Sequence, residues 1–347
     1  MGYIQNTCIR SRSPAVPLDR PGNQSCRTAA QRSTAPLPVH PALGFAVIGG
    51  EKCGTTTVAE MLRRHPDVFM PAGEISAFED PDYGAGGLVN LVRALQPITS
   101  RRTTGIHRSS DLHRPECPER IRRHFPTARL VVILRDPVER AISAYFHNIR
   151  YGFAALRDVN VGLPAIAAGI DGARLPRSRE VLEFGFYHAH LSRYLRIFPR
   201  SQILVIPYDD LRTDLEGVLN RLCRFLDLDP QLATVPPTTR MNPGTYSLRQ
   251  LWLQRQQHRL MFSYAEDGSR LFARQQPLSR VEQRIVALLR ALEDWLLERN
   301  WLNDRPIVAR ETEAFLAKLY REDTARLQDL LGIDLSHWRP LRRSDAA

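Results

Sequence analysis

The chain has 347 residues, 43% hydrophobic and 24% charged, which is a globular composition with length for one large domain or two smaller ones. No apolar run approaches the roughly 18 residues of a membrane span, and the first thirty residues lack a secretory apolar core, so a spanning or exported protein is not expected. The net charge of +11 suits an anionic ligand, while five scattered cysteines without a C-x-x-C pair speak against a disulfide framework or zinc knuckle and fit a reducing cytoplasm.

Residues 1–40 are rich in Pro, Ser and Arg and carry five arginines against one aspartate; with few large apolar groups they are expected to be a disordered basic tail. The folded part is expected over 41–340. It opens at Phe45-Ala46-Val47-Ile48, a buried parallel strand ended by Gly49-Gly50. Val58, Met61 and Leu62 then recur at helical spacing until His65-Pro66 stops the pattern. Gly105-Ile106-His107 reads as a strand end. Leu130 to Leu134 is a second buried strand, and Asp136-Pro137-Val138-Glu139 supplies a cap, a first-turn proline and an acidic third position for a helix running to about Arg150. Residues 153–180 read as an insertion over one face of the sheet. An amphipathic helix over 185–198 leads into a third strand at Ile203 to Ile206, and helices are expected over 248–264, 278–302 and 311–331. The fold class is α/β: a P-loop-like, mainly parallel sheet flanked by helices, with a helical C-terminal part over 247–338.

The segment from Gly49 to Thr57 lies between a buried strand and a helix, the context in which backbone N–H groups cradle phosphate. It meets the Walker spacing at Gly49, Gly54 and Thr56, but Thr55 stands where the lysine belongs and the lysine has moved to Lys52. That weighs against a nucleoside triphosphate enzyme, whose lysine must reach the β and γ phosphates. Lys52 and Lys318 are the only lysines among 48 basic residues, so a lysine in this loop marks a need for a compact ammonium.

A second constellation is Arg135 at a strand's carboxyl end with Ser143 about two helical turns on. A guanidinium fork with a hydroxyl suits a phosphomonoester. Each group also has a plain structural role, Arg135 in an ion pair with Asp136 or Glu139 and Ser143 as a back-bonded helix serine.

Lys52-Cys53-Gly54-Thr55-Thr56 after a strand, followed by Leu134-Arg135-Asp136-Pro137-Val138-Glu139-Arg140-Ala141-Ile142-Ser143, resembles the sulfotransferases that use 3′-phosphoadenylyl sulfate (PAPS). Supporting likeness runs through Phe198-Pro199-Arg200, Tyr208-Asp209-Asp210-Leu211 and the stretch from Leu330 to Trp338, covering about residues 44–338. The resemblance implies that Lys52, Cys53, Gly54, Thr55, Thr56 and Thr57 wrap the 5′-phosphosulfate, that Arg135 and Ser143 hold the 3′-phosphate, and that Arg240 belongs to a covering loop. It also implies that no metal is used and that Lys52 is catalytic. Glu74, in Pro71-Ala72-Gly73-Glu74-Ile75-Ser76-Ala77-Phe78, resembles the base of the carbohydrate-modifying branch; His107 is the rival base. The acceptor implied is a small molecule or glycan, its pocket shaped by residues 76–110 and 153–180. A P-loop kinase or NTPase and a non-catalytic polyanion binder are the alternatives, the latter disfavoured because the arginines are diffuse, so no nucleic-acid partner is expected. The oligomeric state is not readable from these patterns.

Overall fold

The computed structural model describes residues 43–96, 103–234 and 246–342, apart from 269, 275, 303 and 305; the tail over 1–40 and Arg240 lie outside the described residues. Five strands form a parallel sheet, β1 (Phe45–Gly49), β2 (Val68–Phe69), β3 (Thr103–His107), β4 (Arg129–Leu134) and β5 (Ile203–Pro207), in the order β2-β3-β1-β4-β5. β1 is buried along its whole length because it lies between β3 and β4 under helices, a position that requires an apolar strand on both faces. In register with Phe45 stands Gly105 of β3, where a Cβ would come 2.0 Å from the Phe45 ring. Glycine lets that ring lie across the neighbouring strand.

The helices α1 (Thr55–Arg63), α2 (Gly87–Leu95), α3 (Cys117–His124), α4 (Pro137–Arg150), α5 (Val159–Ala167), α6 (Glu180–Glu183) and α7 (Tyr187–Leu195) precede β5, and α8 (Tyr208–Thr213) and α9 (Leu215–Phe225) follow it. The strands β1, β4 and β5 and the helices α1 and α4 fall where the apolar runs and caps place them. α2, α3, α8 and α9 go beyond the sequence expectation. So does β2, whose two residues are too few to show a period.

Two expectations need correction. Residues 153–180 hold α5, whose Val159, Leu163 and Ile166 pack in an apolar cluster with Tyr145 and Ile149 of α4, so the segment covers a helical layer rather than a face of the sheet. The helix expected over 248–264 is α10 (Leu248–Met261), which runs into an antiparallel hairpin, β6 (Phe262–Tyr264) and β7 (Leu271–Ala273); α11 (Arg280–Glu298) and α12 (Arg310–Leu331) complete the chain's helical part. Phe262, Ser263 and Tyr264 continue no helical stripe, and β-branched or aromatic residues favour strands.

α4 is set by one carboxylate. Asp136 Oδ1 accepts from the N–H groups of Val138 (2.8 Å) and Glu139 (3.2 Å), with Pro137 at the first helical position. Its other oxygen accepts the Arg339 N–H at 2.7 Å, pinning the segment after α12 beside the buried Trp338. Asp136→Ala is therefore expected to lower the unfolding free energy by about 1–3 kcal/mol, from a lost cap and an orphaned amide. Urea titration checks this; an unchanged midpoint contradicts it.

Candidate active site

Parallel strands end together. The loop after β1 carries Lys52, the loop after β3 carries Arg108 and Ser109, Arg135 follows β4, and Tyr208 follows β5, so these residues gather at the carboxyl edge where open α/β sheets bind ligands.

The glycine loop is held to the sheet by the Gly50 N–H, which donates to Ile133 O at 2.7 Å, and turns back through the Cys53 N–H to Gly50 O at 3.2 Å. Lys52 (φ 65°) and Gly54 (φ 90°) are left-handed, and a side chain at Gly54 would in addition meet the Tyr208 ring at 2.9 Å. Such turns aim successive N–H groups into one concavity. α1 begins directly after, with its first-turn donors and positive dipole end at the loop. The amides of Thr57 and Val58 return to Gly54 O at 3.0 and 3.3 Å. Thr55 is buried, Thr57 half-buried and Thr56 exposed. Cys53 turns its side chain inward, with Sγ 3.4 Å from the Tyr187 hydroxyl, and burial pushes its thiol up. What Cys53 offers the loop is backbone.

Lys52 Nζ lies 3.3 Å from His147 Nδ1 of α4. Burial lowers the lysine's pKa, and Arg150 and Arg135 lower it further against the opposing pull of Glu51. Burial and the neighbouring Lys52 and Arg150 hold the His147 imidazole well below its ordinary value, so it is neutral and Nδ1 accepts from the ammonium. Ser143, His147 and Arg150 stand four and three residues apart and share one face of α4. Arg135 sends Nε (3.0 Å) and Nη2 (2.7 Å) to Glu139 Oε2 and places its guanidinium 4.8 Å from the centre of the Tyr208 ring. Its structural pairing with Glu139 is thus present alongside its place among the cations.

Arg140 is fully buried and donates to Val181 O; among the described residues its Nε and Nη1 have no geometrically formed hydrogen bond. His147 and Arg150, beside Lys52, are candidate site residues that sequence reasoning missed, and the buried Arg140 lies behind them. The signal for the first two was present in their spacing of 4 and 7 residues from Ser143, which keeps all three on one helix face.

The rival bases meet. Glu74 Oε1 lies 3.5 Å from His107 Nε2 and accepts from the Ser109 hydroxyl at 2.6 Å, while Oε2 accepts from Arg108 at 2.9 Å. Burial pushes the Glu74 carboxyl up, but Arg108, His107 and Ser109 outweigh it and hold it below the usual carboxylate range. Burial pushes His107 down, with Glu74 opposing. Behind them the buried Glu79 takes Arg108 and, at 3.2 Å, the Ser110 hydroxyl.

The family model of the sulfotransferase domain matches residues 45–242. The chain is 29% identical over 205 residues to a human heparan sulfate glucosamine 3-O-sulfotransferase 5, covering 58% of each chain. It is 30% identical over 200 residues to a human bifunctional heparan sulfate N-deacetylase/N-sulfotransferase 3, covering 54% of this chain and 22% of that one. The chain thus spans less than two thirds of the length of these curated relatives. A sulfotransferase structure from Alicyclobacillus acidocaldarius superposes with a TM-score of 0.58 at 21% identity, covering 86% of this chain and 99% of that one, and shares the fold.

A folded-state pKa below the unfolded one contributes stability that is present above the ordinary value and lost as pH falls through the lowered one. In a carboxyl-detected NMR titration the Glu74 midpoint should lie below 4.5, and Ser109→Ala should move it upward. A midpoint at or above the ordinary value, unmoved by Ser109→Ala, would contradict this network.

Proposed function

The chain belongs to the sulfotransferase domain family, and from that membership we propose that it moves the sulfuryl group of PAPS to a hydroxyl or amine of an acceptor, a small molecule or a glycan. The observation that carries this reading is the half-buried Lys52 ammonium, close to Arg135 and Arg150 and held by His147, at a glycine loop on the carboxyl edge. The site's chemistry fits a nucleotide bearing a short anionic group and a second phosphate: left-handed turns with amide donors, a half-buried ammonium, and a guanidinium fork with a hydroxyl. The relatives' names, for glucosamine 3-O and N transfer, support a carbohydrate hydroxyl or amine.

In this reading the loop from Lys52 to Thr57 binds the phosphosulfate, Arg135 and Ser143 bind the 3′-phosphate, and Arg240 is a further contact on the strength of the resemblance alone. The bound donor supplies a sulfuryl group whose departure leaves negative charge on a phosphate oxygen. Lys52 answers that charge from a site shielded from water, where a fixed cation acts more strongly than in solvent. His147 holds the ammonium in place through Nδ1 without competing for the anion, since it carries no charge. No metal is proposed, because Lys52 and the loop amides meet the developing charge.

Glu74 is the proposed base. Its side chain is 32% exposed against 5% for His107, so an acceptor can reach the carboxylate, and the Ser109 hydroxyl and Arg108 fix its direction. Arg108 keeps Glu74 ionised at neutral pH while also weakening it as a base. A cytoplasmic location is proposed, supported by the buried free cysteines Cys53, Cys117 and Cys223. Among the described residues no helix is long and apolar enough to cross a membrane.

Mass-spectrometric screening of acceptors with PAPS tests the activity: a product heavier by one sulfuryl group supports it, and none across sugars, amines and phenols contradicts it. Once an acceptor is known, Lys52→Ala is expected to lower single-turnover transfer by about 10²- to 10³-fold with a smaller effect on donor affinity. Lys52→Arg should rescue poorly, as a flat guanidinium does not place a point charge in a left-handed glycine loop. Near-normal transfer in the arginine variant would reduce Lys52 to a generic anion contact. Arg135→Ala should weaken adenosine 3′,5′-bisphosphate by about 1.5–3 kcal/mol in calorimetry; unchanged affinity removes Arg135 from the 3′-phosphate.

A further inference from the structure

α11 has two faces of different character. Toward the domain it buries Val286, and its Glu293 accepts from the side-chain amides of Gln250, Gln254 and Gln257 of α10 at 3.0, 2.6 and 3.0 Å. On the opposite side Val281, Ile285, Leu288, Leu292 and Trp295 are between 41% and 69% exposed. Their spacing is 4, 3, 4, 3, the a/d seam of a helix that packs along a second helix, sustained for about 21 Å at 1.5 Å per residue. Solvated helix faces carry charge, and single exposed apolar residues need no explanation; a continuous stripe with two aromatic neighbours, Trp252 and Trp301, does. α11 also lies beyond residues 45–242, the part of the chain that the family model matches.

We propose that this stripe is a dimer interface in which α11 packs antiparallel on α11 of a second copy of the chain, about a two-fold axis near residue 290. The charges flanking the seam select that occupant. With Ile285 and Leu292 at a and Val281, Leu288 and Trp295 at d, the antiparallel pairing sets Ile285 against Trp295 and Leu288 against Leu292 of the second copy. The same register brings Arg284 opposite Glu298 at both ends, with small Ala291 facing itself at the axis. Arg284 and Glu298 are both exposed, and among the described residues neither enters an ion pair within the chain. A parallel pair would instead set Arg284 against Leu289, with no complement. A membrane surface is the poorer occupant: residues 280–299 hold four arginines and four acidic residues, whereas a helix lying on lipid needs a basic polar face.

Sedimentation velocity on the full chain at micromolar concentration tests this. The wild type should be a dimer, and Leu288→Glu should raise its Kd by at least about 100-fold by placing an unpaired charge in the seam. Because Leu288 is exposed, that variant should keep the wild-type far-ultraviolet circular dichroism spectrum and its affinity for adenosine 3′,5′-bisphosphate, while its melting temperature falls only through the lost association. Arg284→Glu and Glu298→Arg alone should each weaken the dimer by about tenfold, and the double exchange should restore it. Ala291→Cys should give a disulfide-linked dimer on mild oxidation where the wild type under the same conditions gives none. A monomeric wild type, a dimer indifferent to Leu288→Glu, or a double exchange that fails to restore association would each overturn the proposal. None of these outcomes bears on the sulfuryl-transfer reading.

Discussion

The site depends on positive charge held out of water at one edge of a parallel sheet. Lys52, Arg135 and Arg150 lie close enough to depress the lysine's pKa, and burial does most of that work. Gathering like charges in a poorly solvated place is unfavourable unless something compensates. Inside the chain the compensation is partial: His147 accepts from the ammonium as a neutral ring, Glu139 takes Arg135, and among the described residues two Arg140 nitrogens form no hydrogen bond. In the proposed reading a bound anion relieves the crowding at Lys52 and Arg135. Backbone architecture makes this possible, because the Gly50 amide anchors the loop to β4 while Lys52 and Gly54 turn it through left-handed geometry. In that reading the unfavourable electrostatics of the free protein are a source of affinity for a doubly anionic nucleotide.

Opposite demands meet at the second group. A carboxylate able to take a proton at neutral pH works best with a raised pKa, yet Glu74 sits below its usual range because Arg108 lies against it. Arg108 is itself divided between Glu74 and the buried Glu79, which Arg114 also approaches at 3.5 Å. Its charge is thus shared, and as the proposed base Glu74 trades base strength for a carboxylate that is ionised and fixed in direction.

Much of this was legible in the residues. β1, the glycine loop, β4 and α4 carry strong local signals: apolar runs of strand length, glycines, and a cap followed by proline. Glu74 and His107 could be named as rivals from sequence but not seen as neighbours, because their contact depends on strand pairing. Val47 pairs with His107, and the Ile75 N–H donates to His107 O at 3.0 Å, which brings positions 33 residues apart together. β2 and the β6–β7 hairpin escaped because two- and three-residue strands leave no period to count. The stripe on α11 was visible as Leu-rich helix, but only its exposure separates an outer seam from an inner core face.

The central claim is that the charged edge binds a nucleotide through a loop cation on one phosphate and a guanidinium and hydroxyl on another. Competitive calorimetry with adenosine 3′,5′-bisphosphate and ATP with magnesium, on the full chain, tests it most directly. The account predicts saturable binding of the bisphosphate that ATP with magnesium does not displace. Tighter binding of ATP with magnesium, or no binding of the bisphosphate, would contradict it.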